Sequence, residues 1–291
     1  MHRTDERRFR DAVSKTLTRF GLVLVTAIVV VWVILPFYWG ISMSFRPAAQ
    51  ALQISGLAVP GLSFRPTAEN WMTELHVPEM RRSMVNSMLA GLGGTAIALL
   101  LGAPAAYSLA RFRFTRPKNR DITIWFISQR VMPPVVVAIP FFLTMRALHL
   151  LDTLIALVLV NATFTMPFVI AILVQSFRDL PPDLEEAALL DGATHIGAML
   201  RVAIPLVAPS LVAAGLIGFA FSWNEFLMAL TLTSRDAITM PVRIASGYDT
   251  RGAQFWYIAV RSLLAMSPPA IVAIIAQRFV VRGLTLGAVR G

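Results

Sequence analysis

The sequence predicts an all-α polytopic membrane protein with six transmembrane helices. Three observations carry that expectation. The 291 residues are 56% hydrophobic and only 14% charged, with a mean hydropathy of +0.68, whereas a soluble domain carries about 25% charged residues. Residues 20–45 contain no charge at all, and about 20 apolar residues suffice to cross a bilayer. The net charge of +10 comes from arginines gathered at the ends of apolar runs, which marks topology rather than nucleic-acid binding.

Residues 1–19 are basic and of mixed charge, with Arg3, Arg7, Arg8, Arg10, Lys15 and Arg19. The run over 20–45 exceeds a signal-peptide core of about 7–15 residues and lacks a good cleavage site after it, so it is expected to be an uncleaved first span. A polar connection over 46–82 carries four prolines, and Trp71 is available there for an interfacial position. The second span, 83–110, is rich in small residues, among them Gly91, Gly93, Gly94 and Gly102, which permit close helix packing. A basic turn from Arg111 to Arg120 leads to a third span, 122–145, interrupted by Arg130, Pro133, Pro134 and Pro140. A tight turn precedes the fourth span, 153–177. The fifth starts between Val202 and Pro209 and ends before Arg235. A second outer connection, 235–256, precedes the sixth span, 257–277, which holds Pro268 and Pro269. The expected organisation is an N-terminal segment 1–19, a six-helix transmembrane domain 20–277 that includes a polar loop at 178–209, and a tail 278–291.

With the N-terminus inside, segments 1–19, 111–121, 178–201 and 278–291 carry about twice the Lys and Arg of the outer connections, which have a similar total length. The positive-inside rule then puts both termini in the cytoplasm. The 178–201 loop has only Arg178 and Arg201, so counting spans puts it on the same side.

Cysteine is absent, and His2, His76, His149 and His195 form no pair at metal-ligand spacing. The two lysines, Lys15 and Lys118, follow Ser14 and Pro117. The Gly-Lys of a P-loop is therefore missing, as is a G-x-S-x-G elbow, and nothing argues for an enzyme.

The loop at 178–209 is the chain's main polar interruption. Pro181 and Pro182 suit the first turn of a helix, where a missing N–H costs nothing. Asp183, Glu185 and Glu186 follow, where carboxylates suit the positive end of the helix dipole. Leu184, Ala187 and Ala188 form a small apolar stripe at i, i+3 and i+4, open to close approach by another surface. Gly192 supplies a stop and a bend.

This stretch resembles the EAA loop of ABC importer permeases. Glu186, Ala187, Ala188 and Gly192 match at the family's spacing, while Val202, Ile204 and Pro205 stand at its later positions with two conservative departures. The resemblance extends through Asn86-Ser87, Ala105-Ala106-Tyr107, Leu109-Ala110-Arg111-Phe112, Leu151-Asp152-Thr153, Trp223-Asn224-Glu225-Phe226 and Gln277-Arg278. The tail, Gly283-Leu284-Thr285 and Gly287 to Gly291, is similar to that of the maltose-type carbohydrate permeases. It implies a type I ABC importer permease fold in a bacterial cytoplasmic (inner) membrane. It also implies the role of the second of two unlike permease subunits, forming half of the pathway for a sugar or sugar-like solute. The implied partners are a non-identical permease, two ATPase subunits and an extracytoplasmic solute-binding protein, besides the sugar and membrane lipid. No cofactor is expected in this chain, because ATP and Mg would sit on the partner ATPase.

By the same resemblance Glu186, Ala187, Ala188, Asp191 and Gly192 would couple to the ATPase, and Gly283, Leu284, Thr285 and Gly287 would reach it from the tail. Arg130 lies near mid-bilayer, where an arginine needs a partner or a wet cavity. It either caps carbonyls freed by Pro133 and Pro134 or lines the pathway. Trp223, Asn224 and Glu225 either grip hydroxyls along the pathway or hold an interfacial belt position. The competing class is an ion-coupled secondary transporter or channel. Against it, carboxylates are rare in the spans, Glu225 being the exception, and no repeat is visible between the halves.

Overall fold

The computed structural model describes residues 2–51, 53, 56–249 and 252–286, which are mostly helical. In chain order the helices are α1 (His2–Ser44), α2 (Ala48–Ala51), α3 (Glu69–His76), α4 (Pro78–Arg111), α5 (Asn119–Ser128), α6 (Pro134–Ala147), α7 (Leu154–Arg178), α8 (Asp183–Leu190) and α9 (His195–Ala198). A π-helical turn, Met199–Ala203, leads to α10 (Ile204–Leu206), α11 (Ala208–Trp223), α12 (Leu227–Leu232), α13 (Met240–Ala245) and α14 (Phe255–Leu286). A small hairpin of Tyr248–Asp249 and Gly252–Ala253 departs from the all-helical expectation.

Among the described residues, four helical stretches are long and apolar enough to cross a membrane: Thr18–Ser44, Pro78–Arg111, Leu154–Arg178 and Phe255–Ile275. A fifth results if His195–Leu206 and Ala208–Trp223, bent by 78° at Val207, count as one. The expected third span is two shorter helices, α5 and α6. The prolines explain the break. Pro133 is extended (φ −60°, ψ 127°), as the residue before a proline prefers, and Pro134 opens α6, where its missing N–H is harmless. Helix α1 includes residues before 20, and α14 runs past 277 to Leu286.

The chain divides into two compact units. The first comprises residues 1–74 and 252–263. Within it, Asn70 donates from Nδ2 to the carbonyls of Ser44 and Arg46, and Ser42 Oγ donates to the Ala58 carbonyl. Trp71 stacks on Phe45 and donates from Nε1 to Ser44 Oγ. Arg261 and Glu74 form a buried ion pair with contacts of 2.7 and 2.8 Å.

The second unit, residues 75–251 and 264–291, is built on α4, α7 and α11. Leu157, Val160, Val169, Ile170, Leu173 and Phe177 recur at helical spacing and form the buried stripe of α7. Between apolar helices in lipid, close packing provides the attraction, and small residues allow it. A Cβ on Gly94 of α4 would stand 2.6 Å from Asn161 Cβ, and one on Gly218 of α11 would stand 2.6 Å from Thr165 Cγ2. The glycine-rich second span thus packs as its composition suggests. Asp152, in the turn before α7, accepts backbone N–H bonds from Ser234, Arg235, Asp236 and Ala237 at 2.9–3.2 Å. Its own N–H bonds to the Leu232 carbonyl at 2.8 Å. Asn86 adds Nδ2 bonds to the carbonyls of Asp236 and Ile238, and Ser87 Oγ receives the Met240 N–H.

Candidate functional site

The 178–209 loop folds as the prolines and glycine dictate. Pro182 is the N-cap of α8, and Asp183, Glu185 and Glu186 occupy its first turn. The helix ends at Leu190, and Gly192 then takes φ +90°, with nothing within 4 Å of where a Cβ would stand. That dihedral favours glycine. Thr194 caps α9 by accepting the Gly197 N–H at Oγ1.

Leu184, Glu186, Ala187, Leu190 and Asp191 are exposed on α8 and its end, while Ala188 is half-buried. The presented face therefore runs through Leu184 and Ala187 rather than through Ala188 as well. Leu190 is 89% exposed, and Ile196 and Leu200 add apolar surface beyond the bend.

Sequence reasoning placed its weight on Glu186 and overlooked Glu185, the buried residue of α8. Glu185 Oε1 accepts from Arg111 Nε at 2.8 Å and Nη2 at 2.6 Å, and Oε2 accepts from the Tyr107 hydroxyl at 2.5 Å. Arg111 Nη2 also donates to the Leu180 carbonyl at 3.2 Å. A signal for this was present: Tyr107 and Arg111 sit at i and i+4 on α4, so both project from one face of its last turns.

Arg130 lies in the break between α5 and α6. It caps no carbonyl freed by Pro133 or Pro134. Its Nη1 donates to the Phe164 carbonyl of α7 at 3.0 Å, next to the carbonyl that Pro167 deprives of its helical donor. The guanidinium lies 3.7 Å from the ring centre of Phe168, which stacks on Phe221 at 4.5 Å. Arg130 and Glu225 line one cavity of about 120 Å³ with Asn161, Phe164, Thr165, Phe221 and Ser222. The Thr165 and Ser222 hydroxyls bond to each other at 3.1 Å.

The Trp223–Asn224–Glu225 group separates. Trp223 is 3% exposed, donates from Nε1 to the Ala265 carbonyl, and is absent from the cavity wall. Its indole takes part in packing between α11 and α14. Asn224 is exposed and bonds back to the Ala220 carbonyl. Glu225 caps the first turn of α12, accepting the N–H groups of Met228 and Ala229. Of the tail residues, Gly283, Leu284 and Thr285 belong to α14, and Gly287 lies outside the described residues. Among the described residues no group of three or more His, Cys, Asp or Glu could hold a metal ion.

The described residues thus combine four to five apolar spans, a broken helix pair and a short exposed helix between spans. The solved structure of a bacterial ABC transporter involved in import of the acidic polysaccharide alginate superposes with a TM-score of 0.73. It covers 89% of this chain and 95% of that one, at 22% identity. Residues 98–286 match the family described as binding-protein-dependent transport system inner membrane component. The trehalose transport permease SugB of Mycobacterium tuberculosis is 37% identical, over 91% of this chain and 95% of the relative. The sulfoquinovosyl glycerol permease SmoH of Agrobacterium fabrum is also 37% identical, over 78% and 79%. The chain belongs to this family of ABC importer permeases, on its carbohydrate-uptake branch, and is a multi-pass inner-membrane protein.

Proposed function

We propose that this chain is the second of two unlike permease subunits of an ATP-driven sugar importer, crossing the membrane six times with both termini in the cytoplasm. The observation that carries the reading is the 37% identity to a trehalose permease across 91% of the chain. In that reading α5 and α6 together make the third span, and the bent pair ending in α11 makes the fifth. The partners are a different permease subunit, two ATPase subunits and an extracytoplasmic solute-binding protein, and hydrolysis takes place on the ATPase.

The exposed face of α8 has the chemistry of a docking surface. Leu184 and Ala187 offer apolar contact without bulk, Glu186 and Asp191 offer acceptors, and Gly192 sets the angle of departure. Closure of an ATP-bound ATPase dimer around α8 would move it as a rigid body, and the membrane helices would follow into a second arrangement. Solute-loaded binding protein and ATP must favour different arrangements for transport to result. The cavity holding Arg130 and Glu225 is the candidate stretch of pathway, with Phe164 and Phe221 as apolar walls. Gly283, Leu284, Thr285 and Gly287 are candidates for a second contact with the ATPase.

Reconstitution tests this. The purified chain alone should hydrolyse no ATP, and uptake in liposomes should need the co-expressed ATPase, the partner permease and the binding protein. Uptake by the chain alone, driven by an ion gradient, overturns the reading.

A further inference from the structure

We infer that Glu185 is the positioning residue through which movement of α8 reaches the membrane-spanning helices, with Tyr107 and Arg111 of α4 as its seat. The inference rests on the reading of α8 as the ATPase-docking helix and adds the path by which its motion leaves it.

α8 has eight residues, well short of the length at which an isolated helix holds together. Prolines lead into it, and Gly192 follows with open space around it. A push on the exposed face would pass poorly through the open glycine bend unless another contact carried it. Glu185 supplies that contact. Its side chain is 8% exposed and that of Arg111 14%. Both carboxylate oxygens are occupied by the guanidinium and the phenol, and the same guanidinium holds the carbonyl of Leu180 just before α8. Charge-assisted bonds from a planar fork fix angle as well as distance, which a sliding apolar contact does not.

The seat is itself embedded. Tyr107 is 4% exposed and meets Phe177, near the end of α7, edge to face at 5.4 Å. It also meets Phe112, which contacts His195 at the start of α9 at 5.3 Å. The ends of α4 and α7 and the starts of α8 and α9 therefore converge on one triad. A rotation of α8 about Glu185 is felt by α4 and α7 together.

The test uses the assembled complex in lipid nanodiscs for exchange measurements and in liposomes for uptake. Glu185→Ala leaves Arg111 without its partner and risks misfolding, so Glu185→Gln and Tyr107→Phe are the informative variants. For Glu185→Gln the maximal uptake rate should fall about tenfold with an unchanged KM for the solute, and the amides of 183–190 should exchange about tenfold faster. Tyr107→Phe should move both in the same direction by less. The reversed pair Arg111→Glu with Glu185→Arg should recover part of the uptake lost in either single variant. The inference is overturned if Glu185→Gln leaves exchange unchanged, or if exchange rises while uptake stays within about twofold of the parent. If the unmodified complex takes up no solute with ATP, the importer reading fails by itself. The exchange measurement then still decides whether Glu185 holds α8 on α4.

Discussion

Ala187 and Gly192 owe their identities to different physical demands, and substitutions separate them. Ala187 is exposed on the face expected to dock, so Ala187→Trp leaves the fold intact while placing an indole in a close contact. Overpacking of this kind costs about 1–3 kcal/mol, so ATP-driven uptake should fall roughly tenfold or more with near-normal membrane levels and weakened co-purification of the ATPase. Normal uptake by this variant would reduce α8 to an ordinary loop helix. Glu186→Ala should be milder, because an exposed charged contact contributes about 0–1 kcal/mol. Gly192→Val acts through backbone strain alone, since nothing crowds the position. Its φ of +90° costs an L-residue about 1–2 kcal/mol. Gly192→Asn should be less damaging than Gly192→Val, as read by exchange protection of 183–198. Equal effects would mean that the bend carries no dihedral requirement.

At the scale of elements, Asp152 ties the turn before α7 to the segment after α12. Burial alone would raise its carboxyl, but four backbone N–H donors outweigh that and lower it from 3.8 to about 2. A depressed carboxylate contributes stability that is complete above its unfolded value and is lost as pH falls through its folded value. Protection of amides 234–237 should therefore be flat from about pH 5 upward and decline between about pH 4 and 2. Asp152→Asn should abolish that dependence while keeping one acceptor, and Asp152→Ala should expose the segment at every pH. A pH-independent wild-type segment would show that the carboxylate is not its anchor.

The sequence motif Leu151-Asp152-Thr153 flagged this position without revealing its partner, because the donors are backbone groups of a segment more than 80 residues away. The same limit explains Glu185. Two adjacent glutamates in a first turn look alike in sequence, and only packing against α4 decides which turns inward. Elements governed by local chemistry were readable: the start of α8 after two prolines, the bend at Gly192, and the break before Pro134. For Trp223 and Glu225, residue type left a pathway role and an interfacial belt position open. The structure adds that Trp223 fills a packing position while Glu225 both caps α12 and lines the cavity. Residue type alone does not distinguish those uses.

For the whole molecule, the absence of cysteine makes the side of the membrane that each connection faces directly measurable. A single introduced cysteine is the only thiol on the chain, so any labelling reports one position. Leu62 is 87% exposed and Thr194 is exposed beside the bend after α8, so accessibility within the protein limits neither. In the six-span reading an odd number of crossings separates the N-terminus from Leu62 and an even number separates it from Thr194. Leu62→Cys should then react with a membrane-impermeant maleimide in spheroplasts, and Thr194→Cys only after the membrane is opened. The position of Thr194 depends on α5 and α6 jointly crossing once, which is the least conventional step of the topology. If that broken pair instead entered and left on one side, Thr194→Cys would be labelled in intact spheroplasts alongside Leu62→Cys. That outcome would remove the docking face of α8 from the ATP-containing compartment and overturn the proposed coupling with it.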